Sequence, residues 1–135
     1  MNKLEIKDIW SDAGARKEDQ IKFRVPDNGF MLVFELQIGT QGTVGADIFQ
    51  FTLCDEKGLI NCILGHDQEY IKDGITSLKG NSLFVIKHYD IDTVIGKMKE
   101  IINDVHVEDK SWRRIGMELS RYFNWEYENE TISHL

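Results

Sequence analysis

Alternation of apolar and polar residues predicts the strands in the first half of the chain. In the clearest case, residues 30–38, every second residue is apolar, whereas Glu35 and Gln37 lie on the other face. The same reasoning predicts a strand over Ala46–Cys54 and a shorter one over Leu4–Trp10. These three segments indicate a sheet that begins near the N-terminus.

The segments that connect these strands have weaker signals. Residues 11–28 are polar and include the only proline, and we predict there a loop with a short strand around Ile21–Val25. Three glycines occur in residues 39–45, but their spacing matches neither common phosphate-binding motif, so this segment is expected to be a hairpin connection. A short helix is predicted over Lys57–Leu64, whereas residues 65–81 form a polar excursion with no predicted element.

Helical spacing of apolar residues characterises the end of the chain. A strand over Leu83–Tyr89 precedes a predicted helix over Asp92–Val105, in which Asp92 is the expected N-cap. A second helix begins after Ser111, and Gly116 lies beside its apolar stripe, where it would let the helix approach the sheet closely. The alternation of residues 125–128 predicts a short final strand.

The order of these elements predicts the α+β class. Strands come first and helices last, which indicates a mainly antiparallel sheet with two C-terminal helices packed on one face. The chain has 135 residues, of which 41% are hydrophobic. Because chains divide into further domains only beyond roughly 250 residues, we expect a single domain over residues 1–135.

The net charge argues against two classes of partner. With 23 acidic and 16 basic side chains, the formal charge is −7. Such a surface repels nucleic-acid phosphate and anionic lipid, so we expect neither direct nucleic-acid binding nor membrane binding. It would suit a basic partner, although mild acidity is also an ordinary property of soluble proteins.

The N-terminus and the cysteines predict a cytoplasmic protein. The first eight residues include charges where a secretory signal needs a continuous apolar segment, and no stretch has the length and apolarity of a membrane span. Cys54 and Cys62 are eight residues apart, and no His or further Cys nearby completes a common zinc site. A disulfide between them is possible, but we expect two reduced thiols. No metal or other cofactor is expected.

Candidate catalytic groups are sparse. No two of the four histidines have the spacing of a metal-binding pair on a helix, and no nucleophile motif such as GxSxG is present. His88 and Asp90 are the best candidates, since a general base could lie at the end of a strand. In the other interpretation His88 is a strand-end polar residue and Asp90 begins the turn into the helix. We expect no enzyme; a small α+β hydrolase or transferase that uses His88 and Asp90 is the alternative.

Six local patterns follow one another in order along residues 30–128. They are a strand end, a second strand, a strand end that leads into a helix, a helix start, that helix's end and an aromatic–acidic segment. In the sequence they read Leu36-Gln37-Ile38-Gly39, Gly45-Ala46-Asp47-Ile48-Phe49-Gln50-Phe51-Thr52-Leu53-Cys54, His88-Tyr89-Asp90, Ser111-Trp112, Leu119-Ser120-Arg121-Tyr122-Phe123 and Trp125-Glu126-Tyr127-Glu128. In this order the chain resembles the immunity-protein-eight family, which is found beside bacterial polymorphic toxins, including contact-dependent growth inhibition systems.

The resemblance implies a cytoplasmic protein that binds and neutralises one cognate toxin domain without catalysis. Many such toxins are basic nucleases, and an acidic inhibitor would be steered onto one. A regulatory or scaffold module for another basic partner is a further alternative. The residues expected to contact the toxin are acids: Asp55, Glu56, Glu126, Glu128 and Glu130.

Overall fold

Five strands and four helices make up the part of the chain that the computed structural model describes, residues 3–61 and 82–127. The strands are β1 (Leu4–Ser11), β2 (Met31–Thr40), β3 (Asp47–Cys54), β4 (Leu83–Val85) and β5 (Asn124–Trp125). The helices are α1 (Lys17–Lys22), α2 (Glu56–Asn61), α3 (Ile91–Asn103) and α4 (Trp112–Leu119).

The strands form one sheet in the order β1-β2-β3-β4, and β5 also pairs with β3. All pairs are antiparallel except β3 with β4, which is parallel. β4 pairs with residues 52–54 of β3 and β5 pairs with residues 49 and 50, so the two short strands share one edge of β3. The predicted mainly antiparallel sheet is confirmed.

One face of this sheet holds the hydrophobic core. The register places Phe34 of β2 opposite Phe51 of β3, and their stacked rings lie 4.9 Å apart between centroids. Met98 of α3 and Leu119 of α4 are fully buried in the same cluster. Both C-terminal helices therefore cover the same face, as predicted, and the α+β class is confirmed.

The predicted strand around Ile21–Val25 is wrong, because residues 21 and 22 end helix α1 and residues 23–25 form neither a strand nor a helix. Its sequence, Lys-Glu-Asp-Gln-Ile-Lys, consists mostly of residues that favour helices, with two acidic groups in the first turn. Ile21 is 60% exposed and thus contributes little to the core, whereas Phe23 packs against the rings of Phe30 and Tyr89.

The beginning of α3 also differs from the prediction. Asp90, rather than Asp92, is the N-cap: its carboxylate accepts hydrogen bonds from the Asp92 backbone N–H (3.2 Å) and the Thr93 hydroxyl (2.8 Å). The preceding strand β4 is three residues long and ends at Val85 instead of Tyr89. The Ser111 cap of α4 is confirmed by its hydrogen bond from the Arg114 N–H at 3.2 Å.

The remaining predicted elements are found where expected, or lie partly outside the described residues. Helix α2 covers the first part of the predicted helix 57–64, of which residues 62–64 are not described. The predicted excursion 65–81 also lies outside the described residues. The final strand is two residues long, with Trp125 buried and Tyr127 beyond its end.

A single carboxylate joins three distant segments of the chain. Asp47, the first residue of β3, accepts hydrogen bonds through Oδ2 from the indole N–H of Trp112 at 2.6 Å and from that of Trp125 at 3.0 Å. Trp112 begins α4, and Trp125 lies in β5. Because bonds to an ionised acceptor are stronger than neutral ones, this contact holds the C-terminal helix and strand on the sheet.

Gly116 allows α4 to lie directly on the Trp125 ring. A Cβ added at this position would lie 2.5 Å from the nearest ring atom, closer than side chains approach one another. The predicted close approach of the helix is therefore confirmed, and the element it approaches is β5.

Replacing Asp47 by alanine is expected to lower the free energy of unfolding by about 2–4 kcal/mol, since two part-buried indole N–H groups lose their acceptor. Urea unfolding followed by tryptophan fluorescence measures the change. The control is Asp8→Ala on the exposed part of β1, which should alter the unfolding free energy by less than about 0.5 kcal/mol. Equal effects of the two substitutions would contradict the role given to Asp47.

Two glycine-to-alanine substitutions should have opposite effects. Gly116→Ala forces a methyl group against the Trp125 ring and should destabilise by about 1–3 kcal/mol. Gly96, in the middle of α3, is exposed and has no atom within 4 Å of an added Cβ. Gly96→Ala should therefore stabilise by about 0.5–1 kcal/mol through the higher helix propensity of alanine. Thermal unfolding of both variants tests this, and a stabilised Gly116→Ala variant would refute the close contact.

Candidate protein-interaction surface

The face of the sheet opposite the core carries a mixture of acidic, amide and apolar side chains. The register places Asp8 opposite Gln37 and Glu35 opposite Gln50, with every second residue of each strand on this side. We call this surface the outer sheet face and define it by the outward residues Glu5, Asp8, Trp10, Val33, Glu35, Gln37, Ile48, Gln50, Val85 and Glu126.

Charges are distributed unequally between the outer sheet face and the helices. The face carries four carboxylates, and Lys7 is the one basic residue in the five described strands. Lys7 is already bonded to Glu5 and to the Thr43 carbonyl oxygen. By contrast, α1, α3 and α4 together contain six basic and five acidic residues. The acidic excess in the described elements is therefore concentrated on the sheet.

Two of these carboxylates accept hydrogen bonds from β3, whereas Glu5 accepts from Lys7 and Asp8 accepts from the Ile9 backbone N–H. Glu35 accepts from the Gln50 side-chain amide at 2.9 Å. Glu126 follows β5 and accepts from the Ile48 backbone N–H at 2.9 Å, while its own N–H donates to the Ile48 carbonyl at 3.2 Å. Each carboxylate uses Oε1 for its bond, so its charge is held in place at the surface and can still accept a further donor.

A cavity of about 320 Å³ lies at the β5 edge of the outer sheet face. It is lined by residues of β3 and of the segment after α4, with Glu126 among them. The lining residues are Ile48, Gln50, Asn124, Trp125 and Glu126. The cavity places the fixed negative charge of Glu126 beside Ile48 and two side-chain amides, which suits the end of a long basic side chain.

The acids predicted from the sequence do not all lie together. Asp55 is half-buried and accepts from the Gly58 N–H (2.7 Å) and the Phe30 N–H (3.1 Å), so it joins the start of α2 to the chain before β2. Glu56 beside it is exposed. Both lie at the end of β3 opposite to Glu126, roughly 23 Å away along the strand. Glu128 and Glu130 lie outside the described residues.

Asp8 and Glu35 were missed as candidate site residues. Alternation alone places Glu35 on the second face of its strand, but the strand register is needed to bring Asp8 and Glu126 onto the same face. The missing signal was the pairing of β1 with β2, since a bulge near Lys7 changes which residues of β1 point outward.

His88 and Asp90 are not arranged as a catalytic pair. Asp90 uses both carboxylate oxygens to cap α3, as in the interpretation that it begins the turn into the helix, and His88 is exposed. Between them, burial and secondarily the negative charge of Asp90 raise the pKa of the Tyr89 hydroxyl above its ordinary value. Tyr89 packs its ring against Phe23 and Phe30, which indicates a structural role.

The described residues hold no evident metal or membrane site. Across 3–61 and 82–127, no three His, Cys, Asp or Glu side chains lie close enough together to bind a metal ion. None of the helices within those ranges has the length and apolarity needed to cross a membrane. Cys54 is buried, with its sulfur 3.8 Å from the Phe84 carbonyl oxygen. Cys62 is not among the described residues, so the state of the two thiols stays a prediction.

Comparison with known proteins gives a family assignment. The family model for immunity protein 8 matches residues 5–129, which is most of the chain. Searches of curated proteins and of solved structures returned no significant match. The matched span includes the three segments joined at Asp47, namely the start of β3, the start of α4 and β5. The chain belongs to the immunity protein 8 family.

Proposed function

We propose that this chain neutralises a cognate toxin domain by binding it stoichiometrically, without catalysis. Membership of the immunity protein 8 family carries this proposal. The geometry of the described residues is consistent with it. In the best candidate for a catalytic pair, His88 is exposed and Asp90 caps α3. Binding requires a stable fold and a surface complementary to the partner, and the outer sheet face is the candidate for that surface.

The proposed partner is the toxin domain of a contact-dependent growth inhibition system or of a related polymorphic toxin. The chain would bind this domain in the cytoplasm. A basic domain, such as many nucleases, would suit the charge of −7. An acidic inhibitor would associate rapidly with a basic toxin because their charges are opposite. By covering the substrate-binding surface, it would also exclude an anionic substrate.

The acids named from the sequence remain proposed contacts. Glu126 is held at the edge of the outer sheet face, and Glu56 is exposed at the far end of β3. Asp55 has a structural use in addition, since it caps α2. Glu128 and Glu130 would extend the negative charge that begins at Glu126.

Co-expression with the toxic domain encoded directly upstream tests the proposal. The expected result is restored growth and a 1:1 complex in size-exclusion chromatography, with inhibition of the purified toxin complete at one equivalent. His88→Ala should protect to the same extent, since the exposed imidazole has no part in binding by this account.

Three results would count against the proposal. The first is the absence of a complex together with unrelieved toxicity. The second is full protection by a small fraction of an equivalent, which would indicate turnover. The third is loss of protection in a folded His88→Ala variant, which would favour the hydrolase or transferase alternative.

A further inference from the structure

We infer that the outer sheet face is the docking surface of this protein and that its occupant is a basic surface of the toxin domain. The inference rests on the proposed function and deepens it by naming the surface and the chemistry of the partner. Its support is the distribution of charge, the exposed apolar side chains and the size of the face.

The size of the face suits a protein partner. The three long strands, of eight to ten residues at about 3.3 Å per residue and about 4.8 Å apart, give a surface roughly 26 Å long and roughly 14 Å wide, and the short strands β4 and β5 extend it along one edge. Such a surface supplies roughly half of the ~800 Å² that each partner contributes to a standard interface. The opposite face of the sheet is filled by the core, so it offers no comparable area.

Apolar side chains on the outer sheet face provide contact area between the charges. Val33, near the start of β2, is 42% exposed, and Val85 at the end of β4 is 55% exposed. Trp10 of β1 is half-buried opposite Glu35. Aromatic and aliphatic groups surrounded by polar ones are the usual composition of a protein-binding surface.

The chemistry of the occupant follows from the charges that lack a counter-ion. Lys7 is the one basic residue in the described strands, and it forms a salt bridge with Glu5. The negative charges of Asp8, Glu35 and Glu126 therefore have no cation on these strands to neutralise them. A basic partner supplies that balance, and one of its Lys or Arg side chains fits the cavity beside Glu126. A second copy of this chain would place acidic residues opposite one another, which disfavours a homodimer through this face.

Two matched double variants test the docking surface. Asp8→Lys with Val33→Lys adds three positive charges to the outer sheet face, at two exposed positions. Asn103→Lys with Glu108→Lys adds the same three charges at and after the end of α3, at exposed positions on the helical side of the sheet and not on its outer face. Because both proteins have the same net charge, a difference between them reports the location of the contact and not the total charge.

Stopped-flow association with the upstream toxin domain at about 20 mM salt is the measurement. The sheet variant should associate at least about tenfold more slowly than wild type, with the difference reduced in high salt, whereas the helix variant should stay within about twofold. Thermal unfolding establishes that both variants are folded. If the double variant is unstable, the single variants Asp8→Lys and Glu108→Lys, which each add two positive charges, give the same comparison.

The possible outcomes separate this inference from the proposed function. Equal slowing by both variants would overturn the inference, because it would show an effect of net charge alone. Tight wild-type binding that the folded sheet variant retains would place the contact elsewhere and overturn the inference, while the proposed function would stand. No binding by wild type would overturn both. A wild-type dimer in sedimentation that the sheet variant dissociates would make the face a self-association surface and would also overturn the inference.

Discussion

The Asp47 carboxylate is the contact that ties helix α4 and strand β5 to the sheet. It accepts from two indoles, one at the start of α4 and one in β5, which lie 65 and 78 residues further along the chain. The Trp125 ring held in this way supports α4 at Gly116, and its backbone pairs with Phe49 of β3. Once β5 is fixed in that register, the next residue, Glu126, can bond to Ile48 and complete the edge of the outer sheet face.

One face of the sheet holds the hydrophobic core, and the other is the proposed recognition surface. Phenylalanine rings, together with the buried sides of α3 and α4, fill the inner face and remove it from solvent. The outer sheet face keeps carboxylates that would be costly to bury without a partner. An acidic surface built on paired strands has little conformational freedom to lose on association, which favours tight binding. The proposed inhibition by binding needs no catalytic group, and Asp90 caps α3.

Much of the fold could be predicted from local patterns, whereas the surface could not. Alternation located β2 and β3 to within two residues at each end, because one face of each strand is buried. The helix at residues 17–22 was missed since Ile21 and Val25 suggested alternation, although both are exposed in the fold. The bonds to Asp47 and the grouping of Asp8 with Glu126 depend on strand pairing and on contacts between distant segments, which no local pattern of residue types contains.

Carboxyl footprinting by carbodiimide labelling and mass spectrometry, with and without the upstream toxin domain, tests the central claim most directly. The account predicts that complex formation protects Asp8, Glu35 and Glu126, while Glu100 and Glu108 on the helical side are labelled to the same extent in both states. Protection of Glu100 and Glu108, with Asp8 and Glu126 still labelled, would contradict it.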